Sequence, residues 1–293
     1  MTANHPCQDS TNQALESFQT LCSPGNKKMN RIKTTFEEAE KKGERALIGF
    51  VTAGDPDIDA SLELIKQMCS SGLDILELGI PFSDPTADGP VIQRSSARAL
   101  ENGVNLAIVL EMATKIRKTT QIPIILFSYY NPVHAYGAKK FYNDSLKTGV
   151  DGVLIVDLPY EESWEMISKW AGDDLSLIRL ITPTTPLSRM KKISDSASGF
   201  LYLVSKTGVT GKGGLDPSNI EKRFNDLRSV TNLPISVGFG ISTPKDVKVI
   251  SKFADGIVIG SAFEQLIESN LENKNLPLIM GKKVKEYKEA TKL

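Results

Sequence analysis

Eight short apolar runs, separated by stretches with helical periodicity, follow one another from Ala46 to residue 261. The runs are continuously apolar rather than alternating, which is typical of strands buried on both faces of a parallel sheet. We predict strands at residues 46–53, 73–80, 123–130, 152–158, 176–182, 199–205, 234–240 and 255–261. Amphipathic stretches between them predict helices at residues 57–72, 105–120, 138–149, 160–172 and 243–253.

Eight alternating strands and helices match a TIM (β/α)8 barrel in strand number and chain length. The structural alternative is a doubly wound open sheet, which usually has fewer strands and a glycine-rich fingerprint after the first strand. The segment "VTAGDPD" after the first predicted strand offers a single glycine. We therefore predict an α/β protein with a TIM barrel. An additional N-terminal helix is predicted because Ile32, Phe36 and Ala39 recur at helical spacing ahead of Gly43.

The first 28 residues are polar, contain no arginine and show no sustained period, so we expect a disordered extension at 1–28 and one barrel domain at 29–293. Lys plus Arg (35) equals Asp plus Glu (35), which leaves no long-range field to attract nucleic acid or an anionic membrane. The sequence has neither an apolar stretch long enough to span a bilayer nor a secretory signal. We expect a cytoplasmic protein without a nucleic-acid or membrane partner.

The three cysteines and two histidines exclude several kinds of site. Three cysteines in a chain of this length do not form a disulfide framework, and two histidines leave little for a catalytic triad or a metal site. Cys69 has helical spacing to apolar neighbours, so we expect it to be buried as a small hydrophobic residue. His134 lies in the loop-like segment "NPVHAYG" and is expected at the surface.

Glu77 is the most informative residue, because the segment "LELGIPFSDPTADGP" places it within an apolar run. It alternates with Leu76 and Leu78, so it faces one interior side of a buried strand, and the barrel mouth is where its charge costs least. Apolar walls raise the pKa of a carboxyl group, which makes a glutamate a general acid near neutral pH. The alternative is a structural salt bridge, which the lack of basic residues in 73–93 makes less favourable.

Asp88 lies in a polar loop together with Asp84, where we expect solvent and backbone N–H groups to keep it ionised. Two carboxyl groups in contrasting environments suit an acid and a partner base or hydrogen-bond acceptor. The loop is rich in turn-forming residues and is long enough to fold over a ligand.

The loops that follow the last three predicted strands combine glycine with serine or threonine: "SKTGVTGKGG", "GFGIS" and "GSA". Glycine lets the backbone approach a ligand closely, and helix N-termini add partial positive charge, so such loops bind phosphate without lysine. Tight turns alone would explain any one of them. Three together, two of them after strands seven and eight, predict a phosphorylated small substrate.

Six segments together resemble the tryptophan synthase α subunit family, in order and at plausible spacing from residue 29 to near residue 290: "FVTAGDP", "LELGIPFSDPTADGPVIQ", "YYNP", "VDLP", "YLVSKTGVTG" and "GFGIS". The resemblance implies a TIM-barrel lyase of L-tryptophan biosynthesis. It would split indole-3-glycerol phosphate into indole and glyceraldehyde 3-phosphate by a retro-aldol reaction, with no cofactor and no metal.

The resemblance also implies roles for individual residues. Glu77 would protonate C3 of the indole ring, and Asp88 would accept a hydrogen bond from the indole N–H. Further implied contacts are Phe50 on the indole ring, Tyr202 beside the glycerol, Thr210 on Asp88, and Gly211, Gly240, Gly260 and Ser261 around the phosphate. The expected partner is a β subunit in an α2β2 complex, with Asp84, Asn131 and Pro159 near it.

Two departures from the family pattern concern the loop after the sixth strand. Lys206 stands where an arginine is common, and Lys cannot make a bidentate contact. At Lys212–Gly214 the chain reads "KGG", where many family members carry an arginine or other bulkier residues, and we expect Gly213 and Gly214 to make the loop more mobile. Both affect loop closure and activation by a partner rather than the chemistry.

Two other functions remain open from the sequence. The first is a different phosphate-binding barrel, such as an isomerase or indole-glycerol-phosphate synthase. The synthase would need a catalytic lysine on an early strand, and residues 46–53 and 73–80 contain none. The second is a catalytically weak barrel that acts mainly as an allosteric activator of a β subunit, against which the presence of both Glu77 and Asp88 argues.

Overall fold

In the computed structural model, parallel strands close into a barrel in the order β1 to β8. The structure describes residues 30–170, 172–205 and 216–293. Within the register, Phe50 of the first strand pairs with Glu77 of the second, and Glu77 with Ile125 of the third. The strands are β1 (Ala46–Thr52), β2 (Ile75–Gly79), β3 (Ile124–Ser128), β4 (Gly152–Ile155), β5 (Ser176–Ile181), β6 (Leu201–Val204), β7 (Ile235–Gly238) and β8 (Gly256–Ile259). Each overlaps one predicted strand, so the TIM-barrel prediction is confirmed.

Helices precede, connect and follow the strands. They are α1 (Arg31–Lys41), α2 (Ile58–Ser70), α3 (Pro90–Glu101), α4 (Leu106–Arg117), α5 (Tyr130–Tyr136), α6 (Ala138–Lys147), α7 (Trp164–Ile167), α8 (Leu187–Asp195), α9 (Pro217–Arg228), α10 (Pro244–Ile250), α11 (Ser261–Glu268) and α12 (Leu276–Ala290). Within these ranges, no helix has the length and apolarity that crossing a bilayer requires.

Two local predictions need correction. The segment around His134 is helix α5 rather than a loop, although His134 itself is exposed as expected. Pro132 does not prevent this helix because it lies in the first turn, where backbone N–H groups have no partner within the helix. Of the helix predicted at 160–172, the described residues contain only Trp164–Ile167. Residues 160–163 form turns before it, in which the Ser163 hydroxyl donates to the Tyr160 carbonyl.

Strand alternation separates two apolar cores. Leu76 and Leu78 point outward to the helices, whereas Ile75 and Phe50 point into the barrel. Glu77 follows the inward side of this alternation. Helix α1 belongs to the inner core as well, since its Ile32, Phe36 and Ala39 cluster with the inward side chains. This confirms the additional N-terminal helix.

The domain boundary predicted at residue 28 and the extension at 1–28 lie outside the described residues. The barrel unit itself runs from Arg31 to Leu293. Cys69 lies partly buried against the outer core, and its burial raises the pKa of its thiol to about 11, as expected of a small hydrophobic residue rather than a reactive thiol.

Candidate active site

A single cavity at the carboxyl ends of the strands gathers most of the residues that the sequence singles out. Phe50 comes from β1, Glu77 from β2 and Tyr202 from β6, while Asp88 lies in the loop between β2 and α3. The turns after β7 and β8 complete the wall with Gly240, Gly260 and Ser261. The remaining lining residues are Gly89, Val91, Ile92, Phe127, Phe239, Ile241 and Val258.

Glu77 is 1% exposed and lies among apolar side chains at this cavity. Burial alone raises the pKa of its carboxyl group to about 8, because the charged form loses its hydration. Within the described ranges, no ion pair includes Glu77, and its Oε1 has no hydrogen-bond partner. The salt-bridge alternative is therefore not supported, and a pKa of about 8 keeps the carboxyl group mostly protonated at pH 7.

Aromatic rings form two walls of the cavity. Phe50 and Phe127 meet edge to face, with ring centroids 5.2 Å apart. Glycine at position 79 allows the Phe50 ring to lie against β2, since a Cβ there would be 2.7 Å from the Phe50 Cζ. The cavity therefore offers an apolar slot next to Glu77, as a planar aromatic substrate group requires.

Tyr202 is 4% exposed and lies opposite this slot, with its ring 5.9 Å from that of Phe239. Glycine at position 238 is needed for this placement, because a Cβ there would be 2.1 Å from the Tyr202 Oη. Burial, followed by the negative charges of Glu77 and Asp88, raises the pKa of Tyr202 well above its ordinary value. Tyr202 is thus a neutral hydroxyl that can donate or accept one hydrogen bond.

The environment predicted for Asp88 is wrong. Its side chain is buried rather than solvated, with 6% of the residue exposed. The Tyr129 hydroxyl donates to its Oδ2 at 3.1 Å and accepts from the Ala87 backbone N–H at 2.9 Å. Burial raises the pKa of Asp88 to about 6, and the hydrogen bond from Tyr129 opposes this rise. The carboxyl group is still mostly ionised at pH 7, so Glu77 and Asp88 keep opposite protonation states.

The turns after β7 and β8 present backbone to the cavity. Gly240 has a φ of 72°, a left-handed conformation that glycine adopts without strain. Gly260 is the N-cap of α11, and no described side chain caps this helix end. The first N–H groups of a helix lack partners within the helix and carry partial positive charge. Gly260 and Ser261 therefore form a turn on the wall of the cavity that holds Glu77, and its partial positive charge suits an anion.

Part of the predicted site lies outside the described residues, namely Thr210, Gly211 and the departures at Lys206 and Lys212–Gly214. The positions expected near a partner are described. Asp84 and Asn131 are exposed and Pro159 is half-buried, all in the segments that follow β2, β3 and β4.

Sequence reasoning missed three side chains of the site. Tyr129 lies in the quoted "YYNP" segment, but its contact with Asp88 joins residues 41 positions apart. Phe127 is two residues beyond the inward-facing Ile125, so strand alternation would have found it. Phe239 has a φ of 75°, which no local sequence pattern indicates for a phenylalanine.

Comparison with known proteins confirms the resemblance. A family model for the tryptophan synthase alpha chain matches residues 36–292. The tryptophan synthase alpha chain of Desulfatibacillum aliphaticivorans is 58% identical over 264 residues, which cover 90% of this chain and 100% of that protein. That of Neisseria meningitidis serogroup B is 44% identical over 265 residues, with the same two coverages.

Solved structures agree with the sequence comparison. The crystal structure of tryptophan synthase subunit alpha from Legionella pneumophila str. Paris superposes with a TM-score of 0.83 at 36% identity. The match covers 90% of this chain and 99% of that one. The barrel, the cavity and these similarities together show that the chain belongs to the tryptophan synthase alpha chain family.

Proposed function

We propose that Glu77 and Asp88 perform the acid–base chemistry by which this family splits indole-3-glycerol phosphate into indole and glyceraldehyde 3-phosphate. The chain is accordingly a carbon–carbon lyase of tryptophan biosynthesis. One observation supports the residue assignment. A protonated Glu77 without an ion-pair partner and an ionised Asp88 lie in the same cavity, which ends at the turn formed by Gly260 and Ser261.

The reaction divides between the two carboxyl groups. Glu77 gives its proton to C3 of the indole ring, which leaves positive charge on the ring nitrogen. Asp88 accepts the hydrogen bond from that N–H and stabilises the charge, as a fixed carboxylate does in a cavity with little water. The Glu77 carboxylate then takes the proton of the glycerol hydroxyl next to the ring. The bond between C3 and the carbon that bears this hydroxyl then breaks. Its electron pair returns to the ring, and the hydroxyl-bearing carbon becomes an aldehyde.

The substrate's other groups match the remaining walls. The indole ring would pack against Phe50 in the apolar slot, and the glycerol chain would pass Tyr202. Gly240, Gly260 and Ser261 would hold the phosphate through backbone N–H groups. We include Thr210 as a contact to Asp88 and Gly211 as a phosphate contact, by similarity to the family alone. No cofactor or metal is part of this proposal.

A β subunit is the proposed partner, in an α2β2 complex that receives the indole. The support is the family, together with the exposed side chains of Asp84 and Asn131 at the barrel mouth. We also propose a cytoplasmic location, as suits a biosynthetic enzyme. The alternative, a catalytically weak barrel that serves mainly to activate the β subunit, is less favoured because the protonated acid and the ionised partner are both present.

Indole release tests the proposal directly. We expect the purified full-length chain to release indole slowly from indole-3-glycerol phosphate, and faster when a tryptophan synthase β subunit is added. Indole release that requires the β subunit would still be lyase activity of this chain, whereas activation of the β subunit without indole release under either condition would favour the activator function. Absence of indole under both conditions would contradict the lyase assignment.

A further inference from the structure

A second buried glutamate, Glu264, lies outside the catalytic pair. It lies in the first turn of α11, three residues beyond Ser261. Gly260 and Ser261 form the turn proposed to hold the phosphate (the phosphate turn). Glu264 is 0% exposed although it is a carboxylic acid, and such groups are rarely buried without a defined partner. Its partners therefore indicate why it is there.

The backbone of β1 is the first partner. The Thr52 N–H donates to the Glu264 Oε1 at 2.7 Å, in a buried contact between residues 212 positions apart. Thr52 is the last residue of β1, two positions beyond Phe50. Glu264 thus joins the helix that carries the phosphate turn to the strand end that carries the aromatic wall.

Helix α3 is tied to the same point. The Thr52 and Ser95 hydroxyls are hydrogen-bonded at 2.7 Å, and Ser95 is fully buried. Helix α3 begins at Pro90, directly after Asp88 and Gly89. Three segments therefore converge at Thr52: helix α11 with the phosphate turn, the end of β1 with Phe50, and helix α3, which follows Asp88.

An ion-pair network surrounds Glu264. Asp55, whose side chain is 0% exposed, accepts two hydrogen bonds from Arg98, at 2.7 and 2.8 Å. Arg98 and Arg94 of α3 both also bond to Glu268, one turn after Glu264 on α11. The network thus binds α3, α11 and the loop after β1 together around one buried carboxyl group.

Arg98 is paired with Asp55 and Glu268, and none of the described ion pairs includes Glu264. Burial, followed by the negative charge of Asp55, raises the pKa of Glu264. Its Oε2 has no hydrogen-bond partner in the described part of the chain. A neutral carboxyl group keeps the acceptor for Thr52 and avoids repulsion with Asp55.

We propose that Glu264 is a positioning residue that fixes the phosphate turn at Gly260–Ser261 to the end of β1, and through Thr52 to helix α3. The role concerns binding of the phosphate end of the substrate and rests on the proposed function of the cavity. Removing the acceptor leaves the buried Thr52 N–H unpaired, so the turn and strand end separate or shift.

Two substitutions separate this role from simple packing. Glu264→Met keeps the approximate volume and removes both oxygens, whereas Glu264→Gln keeps an acceptor for Thr52 and gains an N–H that can donate to Asp55. Glu272→Gln is the matched control, because it makes the same chemical change at an exposed position just after α11.

The measurement is calorimetric binding of glycerol 3-phosphate, accompanied by steady-state indole release. We expect Glu264→Met to weaken glycerol 3-phosphate binding about tenfold and to raise KM similarly, with kcat changed less than about threefold. We expect Glu264→Gln and the control to stay within about twofold of the original protein. Unchanged binding in Glu264→Met, or equal weakening in Glu264→Gln, would overturn the proposal.

Thermal unfolding between about pH 6 and about pH 9 gives an independent readout. The folded state holds a proton on Glu264 that the unfolded state has released, so this residue lowers stability as pH rises toward its native pKa. Glu264→Gln should therefore be less sensitive to rising pH than the original protein; an unchanged profile would count against the assignment even if Glu264→Met does not fold. Since neither binding nor unfolding requires turnover, failure of indole release would refute the proposed function and leave this inference testable.

Discussion

Replacing Glu77 by Gln is expected to lower the rate of indole release by about 10³-fold or more while the barrel still folds. The amide matches the neutral carboxyl group in shape, but it cannot give a proton to the ring or take one from the glycerol hydroxyl. Both proton transfers that the bond cleavage needs are therefore lost together. Steady-state and single-turnover assays of indole release check this expectation.

The effect of Glu77→Gln on the pH dependence of stability has a defined direction. Because burial raises the native pKa of Glu77 from 4.5 to about 8, the folded state binds more protons than the unfolded state between these values. The original protein therefore loses stability as pH rises through this window, and Glu77→Gln should lose less, because the contribution of Glu77 is removed. Glu63→Gln, at an exposed site on α2, is the matched control and should change neither rate nor stability. A Glu77→Gln variant with more than about a tenth of the original activity would contradict the catalytic assignment.

Asp88→Asn is expected to lower kcat/KM by about 10²- to 10³-fold. Asparagine retains an oxygen that can accept from Tyr129 and from the indole N–H, but it carries no negative charge to stabilise the positively charged ring. The loss should appear mainly in kcat, because the charge develops only after the ring is protonated.

The pH dependence supplies the control for Asp88. In the original protein, activity should fall as pH drops through about 6, where burial has placed the pKa of this carboxyl group. The residual activity of Asp88→Asn should lack this acidic limb. An acidic limb that persists unchanged, or a loss of less than about threefold, would show that Asp88 is not the charge that stabilises the ring.

The barrel and the catalytic acid could be predicted because both follow from local patterns. Continuous apolar runs indicate strands covered on both faces, and strand alternation places Glu77 inward. The cost of a charge at that position then indicates a protonated carboxyl group. These steps need only the residues adjacent to Glu77.

The environment of Asp88 could not be predicted in the same way. Its loop is polar in composition, yet Tyr129, from the segment after β3, covers it and supplies its hydrogen bond. Glu264 presents the same difficulty, since its partner Thr52 is at the other end of the barrel sequence. Distant segments bury these residues only when the barrel closes. The local sequence therefore indicates surface or loop positions for them.

The central claim is that Glu77 carries a proton at neutral pH, and infrared difference spectroscopy of the original protein against Glu77→Gln measures this directly. The account predicts the C=O stretch of a protonated carboxylic acid at pH 7, which disappears with an apparent pKa of about 8. A carboxylate band at pH 7, with the protonated band emerging only near the ordinary pKa of 4.5, would contradict it.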